Sequence, residues 1–577
     1  MKGAIALNCK PMSDTEADFG NEMAHTADRT LPAYDGGTKI RAFALTGLIL
    51  FWIYGVLCVA GASVLFARPA HFKVNNFNGR LPAGFATVNN LEWLYSLILT
   101  IVITVCSEGT GFIHDVSLRW NMFDEGRLRW ITNLRLVSTS RETIATSYAS
   151  NLLYFLTVAL AYTSSSQIFL PAAFASGDEA YPVFDGVSTV VSAAGVLTLG
   201  LCVLVQSALI TWTFLASRQN IKTWSSSPLT VTLACAASDN LLPDDNHNVR
   251  HSSLAPAAIR IAQRMQQEAH HQLNQSSSAM PQEKQPSLFT TRKRSARWTL
   301  AIVTVLPIAI LIWALIVLHA WKTKHQTASL SDFAGNGNKM KNIAALASGA
   351  ASGIPVPGIR VFPWQQTGGT ARMNTSTTTL VDLLLIFTMQ AYLTLAMHCV
   401  EVLINSVRDQ KAWEQAAKDI AKEKVASKGA ILNPSILVST LGSWPNLFLL
   451  ACKATSQWLF NRALLTVLFF DADKDLDKWD NYETEIIVFS VPTFFLVGLT
   501  AVLVTLAWYL AFRVPRNFQP STYGHVRTLL DLIDDWGQGD QLFWGDKGLA
   551  TDGLARRAGT AGDAELLGPI NADTQYV

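Results

Sequence analysis

Charge is what this chain has least of. Asp, Glu, Lys and Arg make up 15% of its 577 residues, against about 25% in ordinary soluble proteins. The net charge of +2 gives no general attraction to a polyanion, so nucleic acid is not an expected partner. Cysteine is also sparse. Of seven in all, Cys58, Cys106, Cys202, Cys399 and Cys452 lie in apolar runs, and Cys9 and Cys235 lie in polar segments. No disulfide framework is implied. Residues 1–40 carry no apolar core of a secretory signal, so the first long apolar run is read as an uncleaved anchor. The phosphate loop, nucleophile elbow, kinase signatures and dinucleotide fingerprint are absent as well, so no soluble cofactor is expected and an enzyme is the least supported class.

What the chain has instead is long apolar runs, and half of its residues are hydrophobic. A helix needs about 20 apolar residues to cross about 30 Å of hydrocarbon. Seven runs qualify, at 43–66, 91–110, 152–171, 188–216, 299–321, 380–405 and 486–512. An eighth, 447–470, is interrupted by Lys453 and Arg462. Trp298 and Trp321 bracket the fifth run, a spacing of roughly 34 Å along a helix, which places both indoles at headgroup level.

The basic residues set an orientation. Five arginines fall in 111–151, ten basic residues in 217–298, and Arg408, Lys411, Lys418, Lys422, Lys424 and Lys428 in 406–446. The segment 172–187 has Asp178, Glu179 and Asp185 and no base, and 471–485 is acidic. Eight spans with both termini in the cytosol reconcile these segments. The loop 322–379, with six basic residues, is the discordant one. The fold class expected is therefore all-α, a polytopic bundle of eight helices in contact with lipid. Its parts are a disordered cytosolic N-tail (1–40), four spans (43–216), a cytosolic linker (217–298), four more spans (299–512) and a small ordered cytosolic appendage (513–577). "HHQLNQSSSAMPQEKQPS" reads as solvated linker and "LAPAAIRIAQRMQQEAH" as a short amphipathic helix. Residues 331–379 read as an extended outer loop, and 408–429 as a helix stopped by Gly429. Inspection finds no internal repeat.

The chemistry concentrates in "MQAYLTLAMHCVEVLINS", residues 389–406. Gln390, Thr394, His398, Glu401 and Asn405 fall within an arc of roughly 80° on a helix. Lipid would leave each group unsatisfied, so the stripe must face protein or water. Two readings stay open. One is interhelical hydrogen bonding, worth about 0.6 kcal/mol per bond in membranes. The other is a proton or ion path, since an imidazole and a carboxylate one turn apart can hold or pass a proton. Glu108 and His114 fall near the cytosolic end of the second span, and His398 and Glu401 at the matching depth. Two His and two Glu at one level suit a hard or borderline divalent metal, although no diagnostic ligand spacing accompanies them. Arg462 needs a partner or a wet cleft, and Lys453 is read as snorkelling to the cytosolic interface.

Two further segments are singled out. "DADKDLDKWDNYETE" (471–485) alternates acids like a calcium loop, but Leu476 stands where the sharp turn needs Gly, so it reads as a solvated acidic loop. The tail places Val526, Leu529, Leu530 and Ile533 on one helical face, followed by Trp536, Phe543 and Trp544. That is a hook which packs on the protein's own cytosolic loops, or docks a protein partner or the membrane surface.

Two stretches, taken as a pair, carry a family resemblance. "CSEGTGFIHDVSLRWNMFDEGRLRWITNLRL" (106–136) and "STYGHVRTLLDLIDDW" (521–536), the latter followed by "LFWGDKG" (542–548) and "RRAGT" (556–560), resemble a family of multi-span integral membrane proteins of filamentous fungi. The resemblance implies an integral membrane protein of fungal type and supplies no reaction, ligand or catalytic residue. Three function classes remain: a transporter or channel-like protein, a non-catalytic membrane scaffold or sensor, and a membrane enzyme with an intramembrane His/Glu site.

Overall fold

The computed structural model describes residues 34–576 apart from 68–70, 75–76, 82, 89–91, 135–137, 177–182, 240–284, 328–357, 362–374, 419–428, 433–443, 472–480, 516–517, 538, 550–555, 572–573 and 575. The first part comprises α1 (Thr38–Ala67), β1 (His71–Val74), β2 (Phe77–Arg80), β3 (Phe85–Val88), α2 (Glu92–Asp124), α3 (Tyr148–Ser166), β4 (Phe169–Ser176), β5 (Val183–Ser192), α4 (Ala193–Ser217) and α5 (Pro228–Asp239). After a helical turn at Leu288–Thr291 come α6 (Lys293–Thr327), β6 (Gly358–Val361), α7 (Thr375–Ser406), α8 (Arg408–Lys418), β7 (Ala430–Ile431) and α9 (Trp444–Ala463). The chain ends in β8 (Leu464–Asp471), β9 (Asn481–Phe489), α10 (Ser490–Phe512), α11 (Val526–Leu532), β10 (Gln541–Leu549) and β11 (Arg556–Ala561).

The described chain is mostly helical. Six helices, α1, α2, α4, α6, α7 and α10, are long and apolar enough to cross a membrane. Their outward faces carry large exposed apolar side chains such as Phe43, Ile53 and Leu57 on α1 and Ile308, Ile312 and Leu315 on α6. Helices α3 and α9 have 19 and 20 residues, about 30 Å each, but are more polar. They pack inside the bundle, with Asn151 and Thr163 of α3 and Ser456 and Gln457 of α9 buried.

The expectation of a purely helical chain fails at one end of the bundle. Runs read as spans 152–171, 188–216, 447–470 and 486–512 turn into strands at 169–171, 188–192, 464–470 and 486–489. Phe, Val, Ile and Thr crowd these ends ("LLTVLFF", "EIIVF"), and such residues fit a pleated surface. A hydropathy window does not separate an apolar strand from the helix it continues. The strands form a six-stranded sheet in the order β3-β5-β4-β8-β9-β6. The neighbours are antiparallel except the central pair, β4 and β8, which run parallel with Ala172 opposite Leu468.

That order reads the same from both edges if β3, β5 and β4 are matched with β6, β9 and β8. The helices repeat the match. α1 packs on α4 as α6 packs on α10, α3 on α4 as α9 on α10, and α2 on α3 as α7 on α9. Across the middle, α2 meets α9 as α7 meets α3. The bundle is thus two copies of one four-helix unit, related as by a two-fold axis running along the central strands. Three residues echo the duplication at a constant interval of 293 positions: Cys106 and Cys399, Glu108 and Glu401, Trp120 and Trp413. Each Trp does the same work. Trp120 Nε1 donates to the Thr223 carbonyl at 2.9 Å, and Trp413 Nε1 donates to Thr522 Oγ1 at 3.0 Å. Each Thr follows the last long helix of its half. So few matching positions explain why no repeat is visible in the sequence.

Close approach fixes the helix pair at the heart of the first half. A Cβ added at Gly55 of α1 would lie 2.8 Å from Leu204 Cδ2, and one at Gly200 of α4 would lie 2.9 Å from Cys58 Cβ. Small residues let the two backbones meet where lipid offers no hydrophobic drive for association.

At the end opposite the sheet, the two stretches singled out as a pair bind each other. Ile131 N–H donates to the Gly524 carbonyl at 2.8 Å, and Val526 N–H to the Arg129 carbonyl at 3.0 Å. Trp130 meets His525 edge-on, and Arg292 lies over the Trp130 ring at 3.9 Å. The tail is shorter in helix than expected and contains strands that were not. β10 pairs with β11 and with β7, and Trp536, Phe543 and Trp544 are buried, Trp544 edge-on against Trp413. Here Asp534 takes Lys547 Nζ at 2.8 Å and Thr560 N–H at 2.9 Å. Asp546 takes Arg556 Nε at 2.5 Å and Tyr576 Oη at 3.0 Å. Burial raises both carboxyls, but these donors outweigh it and hold each below the usual carboxylate range.

Most of the N-tail, most of "HHQLNQSSSAMPQEKQPS" and its preceding amphipathic helix, most of 322–379 and most of the acidic loop lie outside the described residues. The last residues of the stretch read as solvated linker are described, and there Gln285 and Ser287 are buried. The helix expected over 408–429 is described from Arg408 to Lys418, and Gly429 adopts φ +47°.

Candidate functional site

The stripe on α7 faces protein. Gln390, Thr394 and His398 are buried, at 0%, 3% and 6% exposure, and Glu401 and Asn405 are half-buried. The reason is the one that periodicity gives: one face of α7 carries the polar groups, and neighbours from both halves cover it. Gln390 Nε2 donates to Gln457 Oε1 on α9. Asn405 Oδ1 accepts from Asn446 Nδ2, also on α9, at 3.3 Å. These two pairs are interhelical contacts and carry no charge.

Between them lies a charged cluster. Lys453 Nζ donates to Glu108 Oε1 of α2 at 2.7 Å and to Glu401 Oε2 of α7 at 2.8 Å. His398 Nδ1 lies 2.9 Å from the same Glu401 oxygen. Lys453 is the tenth of the twenty residues of α9, and Glu108 is the seventeenth of the thirty-three of α2. The cluster is therefore near mid-length of both helices. Lysine and imidazole are buried, whereas the Glu108 and Glu401 side chains keep 23% and 22% exposure. With a neutral imidazole the net charge of the cluster is −1.

The placement of the two glutamates follows from the duplication. Equivalent positions on α2 and α7 approach the same axis from opposite sides, so one cation between them reaches both. Among the described residues, α9 supplies that cation. The interruption that weakened the run 447–470 as a span is thus the centre of the cluster, and Lys453 does not snorkel to an interface. The signal that would have found it is a base inside an apolar run that also faces two glutamates. The first half of that signal is in the sequence. The second is not, because the partners are 345 and 52 positions away.

His114 does not join the cluster. It lies six residues beyond Glu108 on α2, roughly 9 Å further along the helix. Its Nε2 is 2.9 Å from Asn151 Oδ1 of α3, and its ring stacks on Tyr154 at 5.3 Å with 4° between planes. The set that can converge on one ion is Glu108, His398 and Glu401, whose ligand atoms all lie within 4.8 Å of one another. Arg462 is buried near the end of α9, at 7% exposure.

Compared with protein-family models, curated proteins and solved structures, the chain matches none. The geometry of the site therefore carries the functional reading.

Proposed function

We propose that this chain is a multi-pass membrane protein of the transporter or channel-like class, and that a small cation passes through the cluster Glu108–Lys453–Glu401–His398. The observation that supports the reading is an ammonium held between two carboxylates at mid-length of α2 and α9. Charge is costly in a membrane and serves function there by default. Glue needs only neutral pairs, such as Gln390–Gln457 and Asn405–Asn446 on the same faces. The partial exposure of both carboxylates, against the burial of Lys453 and His398, gives an ion a side from which to reach them.

The reading takes in eight spans, with α3 and α9 spanning inside the six apolar helices, and both termini in the cytosol. It takes in the fungal resemblance as the source of the two paired stretches. Purified full-length protein in sealed vesicles is the test, with cation and proton flux followed by dyes under a clamped potential. Flux in the wild type that is lost in Glu401→Gln and His398→Asn, with equal incorporation, supports passage. These changes keep hydrogen-bonding capacity, so unchanged flux in both would leave the stripe as glue and end the proposal. A second reading, a scaffold with a protein partner at the tail, draws on Leu549 and Leu566, which are 69% and 68% exposed. It predicts no flux at all, and loss of function on replacing these two leucines by Asn.

A further inference from the structure

We propose that Glu108, His398 and Glu401 form a binding site for a divalent cation of borderline hardness, at the position now held by the Lys453 ammonium. This rests on reading the cluster as a cation passage and names the class of cation. Two observations carry it. The three donor atoms already lie within 4.8 Å of one another, and a first-row divalent ion holds such donors at about 2.0–2.2 Å. A cation is already accepted there, since Nζ sits 2.7 and 2.8 Å from one oxygen of each carboxylate.

The donor set selects the class. Magnesium and calcium favour oxygen donors and keep waters or many ligands. An imidazole beside carboxylates suits manganese, cobalt or zinc. The duplication adds the reason for two glutamates: each half contributes the same residue to a point between the halves. The second half alone adds the imidazole, which takes the third position.

The probe is Co²⁺ alone, added to the purified full-length protein in detergent and followed by its visible absorption. One equivalent binds to the wild type, and Glu108→Gln, Glu401→Gln and His398→Asn each weaken binding about tenfold or more. Lys453→Met binds more tightly, because the competing ammonium is gone. A second measurement needs no variant. A hydrophobic carbodiimide labels Glu108 and Glu401 of the wild type, mapped by mass spectrometry, and Co²⁺ protects both where Mg²⁺ at the same concentration does not. The proposal is overturned if the wild type binds no Co²⁺, if each of the three ligand variants binds it as tightly as the wild type, or if Co²⁺ gives no protection. It is distinguishable from the passage reading. Co²⁺ binding with no flux in vesicles leaves a resident metal site and removes passage, and flux without Co²⁺ binding does the reverse.

Discussion

The two halves of the bundle share a frame and differ in the charge carried at its centre. Helix α3 of the first half and α9 of the second occupy matching places, each between the second and fourth long helices of its own half and against the second helix of the other. Each opens with an Asn that bonds near its second helix: Asn151 to His114, and Asn446 to Asn405. Halfway along, α9 carries Lys453, while the matching stretch of α3, Leu156–Val158, is uncharged. The acids are duplicated and the base is not. The frame therefore belongs to both halves, and the base of the cluster belongs to one of them. A cluster symmetric in all its charges would need a second lysine, and two ammonium groups would then compete for the same two carboxylates.

Removing the base is the sharpest way to break the comparison. Lys453→Met takes the shared ammonium from between two carboxylates. Removing one partner from a buried pair costs about 3–5 kcal/mol, and the partial exposure of the glutamates puts the expected loss at the lower end of that range. Thermal unfolding in detergent checks it. Adding Glu108→Gln to Lys453→Met should recover part of the loss, and a purely additive double variant would show that the two side chains do not interact.

The next effect concerns the tail. Gly537 has φ +63°, and a Cβ there would meet Gly562 Cα at 2.3 Å. Gly537→Ala should cost about 1–3 kcal/mol from backbone strain and forced displacement. Limited proteolysis should then release the region beyond residue 537 while the bundle stays intact. A wild-type digestion pattern would mean that this turn relaxes freely.

Smaller still is the test of equivalence. Trp120→Phe and Trp413→Phe each remove one indole hydrogen bond, worth about 1 kcal/mol. If the halves are duplicates in energy as in form, the two losses agree within about 0.5 kcal/mol once measured in the same detergent. A loss confined to one would show that the equivalence is only topological.

The smallest effect is electrostatic. Asp534 and Asp546 are held below the ordinary carboxylate value in the folded chain. The folded state therefore binds fewer protons than the unfolded one near those values. The stability they add is present above about pH 4 and is lost as pH falls through the lowered folded values. Acid should loosen the tail, and Asp546→Asn should flatten that response. Proteolysis across pH 3–7 reads both.

Much of the fold was legible because hydropathy reports burial in lipid directly. The stripe from Gln390 to Asn405 was legible because a helix repeats its faces every 3.6 residues. The sheet was not, since an apolar strand following an apolar helix has the same composition as more helix. The repeat was not, because packing tolerates many apolar sequences in one frame and leaves only positions such as Glu108/Glu401 and Trp120/Trp413 in common. The hub of the cluster was not, because Lys453 gains its meaning from Glu108 and Glu401, and contacts between remote segments leave no periodicity.

The parallel pairing of β4 with β8 has a mechanical consequence. Backbone hydrogen bonds across that seam join the halves at one end of the bundle, and the bonds from Ile131 and Val526 to the opposite stretch join them at the other. A body riveted at both ends cannot open like a clam, because rocking would tear one seam or the other. Between the rivets the halves are held by side-chain packing, α2 on α9 and α7 on α3, and by the flexible four-carbon arm of Lys453. Any give between the halves is therefore confined to this waist.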